Sequence, residues 1–163
     1  MKSAAAHSKG AAYSLQATPY GITSNPFLSP IGFPCHQPPW SELTAVDLTT
    51  RSVLWKRSLS TTDGHAPFDL AFPTGVFNLD GTAVTRGGLT FVGGTIDNSL
   101  RAFNSETGAE LWRGKLPACG QAGPMTYVSP KTGKRYVVIP AGGHISMQID
   151  IGDAVVAFAL PDA

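Results

Sequence analysis

The stretch 98–112 reads Asn-Ser-Leu-Arg-Ala-Phe-Asn-Ser-Glu-Thr-Gly-Ala-Glu-Leu-Trp, and its pattern decides the fold. Two short apolar segments flank the cluster 104–108, which contains Asn, Ser and Gly. These residue types tolerate the backbone dihedral angles of a tight turn. The stretch therefore predicts a β-hairpin, with one strand on each side of the turn.

The same hairpin pattern occurs earlier in the chain, at 43–55, which reads Leu-Thr-Ala-Val-Asp-Leu-Thr-Thr-Arg-Ser-Val-Leu-Trp. Both copies end in Leu-Trp, at Trp55 and Trp112, and in both an alanine lies at the same separation before the tryptophan. A truncated third copy, 154–160, contains the first strand only. A period in the fifties, carried by hairpins, is typical of repeat architectures.

Further short strands are predicted before the hairpins, at 82–84 and 89–92 in the second repeat and at 124–128 and 135–140 in the third. Four-stranded units at a fixed period are propeller blades. The sequence thus predicts an all-β fold, a partial β-propeller of about two to three four-stranded blades. The set comprises the last two strands of one blade, one whole blade and three strands of another. Because an open set leaves strand edges unpaired, the chain is expected to be a fragment or a subunit of a larger propeller.

The first residues, 1–17, are small and polar and show no periodicity. They are predicted to form a disordered leader, and 18–163 are predicted to form the blades. The segment 18–40 is rich in proline and bears aromatic side chains. It is expected to be a loop packed on the β scaffold, because its prolines exclude a helix and a central strand.

The charge balance of the chain argues against partners that would bind through an excess of positive charge. With 12 basic and 11 acidic residues among 163, the chain has no excess of positive charge that would bind nucleic acid or an anionic membrane. No apolar stretch is long enough to span a bilayer, and residues 1–12 make a poor signal peptide. Cys35 and Cys119 lack partners at metal-site spacing, so zinc is not expected. A disulfide and two independent thiols are both open alternatives for them.

The hairpin pattern Ala-x-Asp-x-x-Thr-x-x-x-x-Trp, present at 45–55, resembles the tryptophan-docking repeats of the eight-bladed quinoprotein dehydrogenases. In that family each such tryptophan packs between neighbouring blades. The resemblance therefore implies that Trp55 and Trp112 are blade-packing residues.

Four longer motifs resemble the C-terminal part of the membrane-bound dehydrogenases of glucose, quinate and other polyols that use pyrroloquinoline quinone (PQQ). The similarity extends over nearly everything after residue 17. The motifs are Thr-Pro-Tyr-Gly-Ile with Asn-Pro-Phe-Leu-Ser-Pro and Pro-Cys within 18–35, Asp-Asn-x-Leu-Arg-Ala-Phe at 97–103, Leu-Pro-Ala-x-Gly-Gln-Ala-x-Pro-Met-Thr-Tyr at 116–127, and Ala-Gly-Gly-His at 141–144 with Gly-Asp-x-Val-Val-Ala-Phe-Ala-Leu-Pro at 152–161.

The resemblance implies an enzyme on the periplasmic side of the inner membrane, anchored by N-terminal transmembrane helices. Such enzymes oxidise a sugar or cyclic polyol, reduce PQQ with a bound divalent cation (Ca or Mg), and pass electrons to ubiquinone. Their catalytic aspartate and most of the groups that hold PQQ and the cation lie upstream of the region seen here. No catalytic residue and no metal ligand is therefore carried over, and this chain alone is expected to be inactive, with the remaining propeller blades as its partner.

The resemblance implies four cofactor-binding positions. His144 matches a histidine close to PQQ and the substrate, and Asp97 matches an aspartate near the same site. Gly142 and Gly143 would let the backbone approach a flat cofactor. On the residues alone, a surface position for His144 and a turn position for Asp97 are the alternatives. Arg101 could reach a cofactor carboxylate, but an outward-facing, solvated arginine is the favoured interpretation.

Two departures from the family pattern leave the substrate open. Cys119 stands where the family tends to have glycine, and the loop 145–151 differs from the pattern of the glucose enzymes. A second functional class is a non-catalytic propeller scaffold that binds protein partners through the same hairpins. The motif Ala-Gly-Gly-His at 141–144 and the Asp-Asn pair at 97–98 favour the dehydrogenase, because a scaffold has no reason to retain them.

Overall fold

The computed structural model describes residues 11–14, 16–25, 27–30, 33–62, 72–120, 122–143, 149 and 151–160. Throughout these residues the regular secondary structure is β-strand, so the predicted all-β class is confirmed. The same residues contain no helix with the length and the hydropathy needed to cross a membrane.

Eleven strands form within the described residues. They are β1 (Ala11–Ser14), β2 (Gly21–Ser24), β3 (Glu42–Asp47), β4 (Ser52–Ser58), β5 (Thr82–Val84), β6 (Leu89–Thr95), β7 (Ser99–Asn104), β8 (Glu110–Lys115), β9 (Met125–Val128), β10 (Arg135–Ala141) and β11 (Ala154–Ala159). The chain divides into two compact units, Met1–Gln37 and Pro38–Ala163.

The first unit contains an antiparallel pair, β1 with β2, in which Tyr13 lies opposite Ile22. A strand at β1 differs from the expectation of a disordered leader over 1–17. The β-branched residues Ile22 and Thr23 favour a strand at β2, and pairing with it gives the backbone groups of β1 hydrogen-bond partners. The domain boundary at residue 17 stays a prediction.

The second unit contains three antiparallel sheets, of two, four and three strands. They are β3-β4, β5-β6-β7-β8 and β11-β10-β9, each with sequence neighbours paired side by side. This is the set predicted from the repeats: two strands of one blade, one whole blade and three strands of another. The predicted partial propeller is therefore confirmed, and the sheets are called blades below.

The two central strands of the whole blade, β6 and β7, are buried along most of their length. Their side chains alternate between two apolar clusters, as the period of a strand requires. Phe91 and Ala102 belong to a cluster shared with the three-stranded blade, whereas Val92 and Phe103 pack with Leu59, which follows β4. Because both faces of β6 and β7 are covered, a polar side chain on either strand has to find its partners inside the protein.

Asp80 lies on the approach to β5 and has one carboxylate oxygen, Oδ2, that is buried without a hydrogen-bond partner among the described residues. Burial raises the pKa of Asp80, against the opposing effect of backbone hydrogen bonds from Gly81 and Gly93. A carboxyl group whose pKa is higher in the folded state stabilises the fold below the unfolded-state pKa. That contribution is lost as the pH rises through the folded-state pKa.

We therefore expect Asp80→Asn to raise the melting temperature at pH 7, with the gain over the wild type disappearing below about pH 4. Asp47→Asn is the matched control. Hydrogen bonds from the hydroxyl of Thr50 and the backbone of Thr49 lower the pKa of Asp47, so this variant should change stability at pH 7 in the opposite direction. Melting curves across pH that show no gain for Asp80→Asn at neutral pH would contradict a penalty for ionised Asp80.

Candidate functional site

A buried ion pair lies at the turn between β6 and β7. Asp97 is 5% exposed and Arg101 is 0% exposed, and the guanidinium Nη2 donates to Asp97 Oδ2. Arg101 Nη1 also donates to Asp97 Oδ1, at 3.1 Å. The turn is closed by the Asn98 amide, which donates to the Thr95 carbonyl at 3.2 Å, and Asn98 adopts a φ of 53°. The turn thus brings Asp97 back over the strand that carries Arg101.

Two hydroxyl groups, those of Thr95 and Ser60, also form hydrogen bonds with this pair. Thr95 Oγ1 donates to Asp97 Oδ1 at 2.6 Å and accepts from Arg101 Nη1 at 2.8 Å. Ser60 Oγ donates to Asp97 Oδ2 and accepts from Arg101 Nη2 at 3.3 Å. Ser60 follows β4 of the preceding blade, so the ion pair joins two blades.

Two further contacts of the ion pair come from β8. Lys115 Nζ donates to the Asp97 carbonyl at 3.1 Å. Arg101 Nε has no hydrogen-bond partner among the described residues, but Glu110 Oε2 lies 3.6 Å away as a weaker ionic neighbour. A charge taken out of water in this way is tolerated only when its partners are in place.

The ionisation of Asp97 follows from these contacts. Burial by itself would raise the pKa of Asp97, but hydrogen bonding from Arg101 and its positive charge, with hydrogen bonds from Ser60 and Thr95, outweigh burial. The pKa of Asp97 therefore lies below its usual value, and the carboxyl group is ionised at neutral pH.

The solvated, outward-facing position expected for Arg101 is wrong. The residue is fully buried because β7 is covered on both faces and has no side open to solvent. The spacing of Asp97 and Arg101 around a tight turn was the available signal, since a turn can fold an acidic side chain back over a basic one. The turn position of Asp97 agrees with the structure, and its contact with a cofactor stays a prediction.

A second feature is the backbone segment after β10, which includes Gly142 and Gly143. The Gly143 amide donates to the Cys119 carbonyl at 2.8 Å, and the Gly152 amide donates to the Gly142 carbonyl at 3.0 Å. Gly143 has a φ of 67°, a conformation that glycine adopts without strain. His144 lies outside the described residues.

The two hairpin tryptophans each contact the following blade. Trp55 Nε1 donates to the Ser105 carbonyl at 3.0 Å, and a Cβ on Gly108 would come within 2.6 Å of the Trp55 ring. Trp112 meets the Phe158 ring edge-on, with ring centroids 4.9 Å apart and an interplanar angle of 74°. A blade-packing role for both tryptophans stays a prediction, for which these contacts are the physical basis.

A family model described as the beta-propeller domain of glucose/ethanol/alcohol dehydrogenase, with the short name PQQ, matches residues 1–137. The chain belongs to this family. Its propeller fold is that of a quinoprotein dehydrogenase, and the resemblance stated from the sequence motifs is confirmed.

Curated relatives extend the comparison. The chain is 51% identical to a probable quinate dehydrogenase (quinone) of Xanthomonas campestris pv. juglandis, over 91% of this chain and 19% of the relative. It is 49% identical to the quinoprotein glucose dehydrogenase of Escherichia coli K12, over 88% of this chain and 18% of the relative. The chain thus spans about a fifth of the length of these relatives. A solved structure, the quinohemoprotein alcohol dehydrogenase of Comamonas testosteroni, matches 75% of this chain and 18% of its own with a TM-score of 0.52 and 21% identity, which is a likeness of fold.

The quinoprotein family implies PQQ, a flat cofactor that needs space beside the backbone that binds it. A Cβ added to Gly142 would meet, within the described residues, only the Gly152 carbonyl oxygen at 3.8 Å. Among the described residues, this spacing at Gly142 is compatible with the close approach of a planar group, and contact of Gly142 or Gly143 with PQQ stays a prediction. The carboxylate of Asp97, by contrast, is occupied by Arg101 and its hydroxyl neighbours.

The structure also describes the two cysteines and the grouping of side chains that could ligate a metal ion. Cys35 is exposed, Cys119 is buried and neither forms a disulfide, so of the two alternatives the structure has independent thiols. Across the described ranges, no three His, Cys, Asp or Glu side chains gather closely enough to hold a metal ion.

Proposed function

We propose that this chain is one part of a PQQ-dependent dehydrogenase that oxidises a sugar or cyclic polyol of the glucose or quinate type and passes the electrons to ubiquinone. The observation that carries the proposal is the family match over 1–137. A Cβ at Gly142 would meet one atom among the described residues, at 3.8 Å, which supports the close approach of a flat group. The names of the relatives, quinate dehydrogenase and glucose dehydrogenase, support the substrate class. By family, the enzyme faces the periplasm at the inner membrane.

Within this proposal, the residues of the chain hold and orient groups. Gly142, Gly143 and His144 are the residues that would hold the cofactor, with the glycine backbone allowing its close approach and His144 able to donate a hydrogen bond to an oxygen of the cofactor or the substrate. PQQ, when bound, is the oxidant that accepts the electrons of the alcohol carbon. The catalytic base and the ligands of the Ca or Mg ion belong to the other blades.

The same proposal accounts for the free edge of the three-stranded blade. Among the described strands, β11 pairs with β10 alone, whereas the corresponding β7 pairs with both β6 and β8. A groove of about 880 Å³ beside Trp112 is lined by Phe158 near the end of β11 and by Leu160, which follows that strand. Trp55 packs on the turn between β7 and β8, so the turn of a fourth strand next to β11 would cover Trp112 in the same way. The remaining blades of the parent protein supply that strand.

A chimaera tests the proposed function. The matching segment of the Xanthomonas quinate dehydrogenase is replaced by this chain, and PQQ binding and dye-linked oxidation of quinate and glucose are measured with calcium or magnesium. We expect PQQ-dependent oxidation in the chimaera and none with the chain alone. A folded chimaera that binds no PQQ would reject the proposal in favour of the scaffold class.

In the same chimaera, His144→Ala is expected to weaken PQQ binding or turnover by about tenfold or more, the loss of one charge-assisted or buried hydrogen bond. Its melting temperature without cofactor should stay near that of the parent. His36→Ala, which changes a histidine outside the matched motif, is the control. If His144→Ala keeps the parental PQQ affinity and kinetics, the assignment of His144 is wrong.

A further inference from the structure

Cys119 forms hydrogen bonds through both its thiol and its backbone carbonyl, and it lies in a buried segment. The side chain is 0% exposed, and its Sγ donates to the Thr95 carbonyl at 3.0 Å. Its own carbonyl accepts the Gly143 amide at 2.8 Å. Cys119 therefore connects the end of β6 to the backbone segment after β10.

The Thr95 end of this connection belongs to the buried ion pair. Thr95 Oγ1 donates to Asp97 and accepts from Arg101, while its carbonyl accepts from Cys119. A continuous path of polar contacts thus runs from Arg101 through Thr95 and Cys119 to Gly143. Its first contacts are charge-assisted, which makes them the strong ones.

The segment that carries Cys119 is closely packed on both sides. A Cβ on Gly120 would lie 2.5 Å from Ile139 Cδ1 and 3.1 Å from the Gly93 carbonyl oxygen, and a Cβ on Gly152 would lie 2.7 Å from Ala118 Cβ. Packing at this density transmits a displacement to the neighbours because it leaves no void to absorb it.

We propose that Cys119, backed by the ion pair of Asp97 and Arg101, is a positioning residue that fixes the Gly142 and Gly143 backbone, and through it the affinity for PQQ. The thiol holds 116–120 against Thr95, and the Cys119 carbonyl holds the Gly143 amide. The mechanical part of this proposal stands on the contacts alone, and the effect on PQQ rests on the proposed function.

The mechanical part is tested without cofactor, by amide hydrogen exchange of the peptide that contains Gly143 in the chimaera. Cys119→Ala removes the thiol donor and is expected to speed exchange at Gly143 by about 3- to 10-fold, the worth of one net hydrogen bond. Cys119→Ser restores a donor and should recover most of the protection. Cys35→Ala, at an exposed thiol in the other unit, should change nothing at Gly143.

A second variant, Arg101→Lys, keeps the positive charge but removes the planar fork that contacts Thr95 and Asp97 together. It is expected to speed exchange at Gly143 in the same direction. Unchanged exchange at Gly143 in both Cys119→Ala and Arg101→Lys would overturn the proposal, whatever the activity of either variant. Faster exchange that Cys119→Ser does not recover would also overturn it, since general loosening would then be the cause.

The affinity for PQQ is measured on the same variants by cofactor titration. We expect Cys119→Ala to raise the dissociation constant by about 3- to 10-fold, with rescue by Cys119→Ser. Faster exchange with unchanged PQQ affinity would overturn the link to the cofactor. Absence of PQQ binding in the parental chimaera would instead reject the proposed function, so the two failures are distinguishable.

Discussion

Asp97→Asn is expected to lower the free energy of unfolding by about 3–5 kcal/mol, because it removes the charged partner of buried Arg101 and leaves Glu110, 3.6 Å from Nε, as its remaining ionic neighbour among the described residues. Arg101 is fully buried and donates its hydrogen bonds to Asp97, Ser60 and Thr95. An amide cannot balance the charge, so the loss exceeds that of one neutral hydrogen bond. Urea denaturation followed by tryptophan fluorescence measures the effect.

The double variant Asp97→Leu with Arg101→Met removes both members of the ion pair, whereas a single variant removes one member and leaves the other buried. Replacing both charges by apolar residues removes the desolvation cost together with the attraction, so the double variant should be more stable than either single variant. A double variant whose loss equals the sum of the single losses would show that the two side chains do not act as a pair.

The pH dependence of the same pair has a defined sign. The folded-state pKa of Asp97 is lower than the unfolded-state value, so its contribution is complete above the unfolded-state pKa of about 3.9. The contribution is lost as the pH falls through the lower folded-state pKa. The stability difference between wild type and Asp97→Asn should therefore shrink in acid and be constant from about pH 5 to pH 8.

Trp55→Ala is expected to cost about 2–4 kcal/mol, below the full cost of a buried tryptophan because the side chain is half-buried. The variant removes a ring packed on Gly108 of the next blade and leaves the Ser105 carbonyl without its indole donor. The loss should appear in urea denaturation as a lower midpoint.

Leu54→Ala is the matched control for this effect, since Leu54 is exposed on the same strand and should cost less than about 1 kcal/mol. Trp112 is 39% exposed, so Trp112→Ala should cost less than Trp55→Ala in this chain and more once the remaining blades cover the groove. Equal costs for Trp55→Ala and Leu54→Ala would refute the blade-packing assignment of Trp55.

The sheets were predictable because their pairing is local. In each blade every strand pairs with its sequence neighbour, and the turns that connect them carry readable signals, such as the cluster 104–108. The blade-packing role of the hairpin tryptophans was inferred from the family resemblance and stays a prediction, with their contacts to the following blade as its physical basis. The strand at β1 was missed because small residues there carry no periodicity of their own.

The features of the candidate site also divide into those that depend on local sequence and those that depend on residues far apart in the chain. The sequence by itself determined the blades and their order, since both follow from residues close together in the chain, whereas the role of Gly142 and Gly143 stays a prediction. Only the tertiary structure decided the burial of Arg101 and the link from Cys119 to Gly143. Arg101 depends on Ser60, 41 positions away, and Cys119 depends on Thr95, 24 positions away. Such contacts arise from how blades stack, and no pattern within one strand specifies which distant hydroxyl or carbonyl will meet a buried charge or thiol.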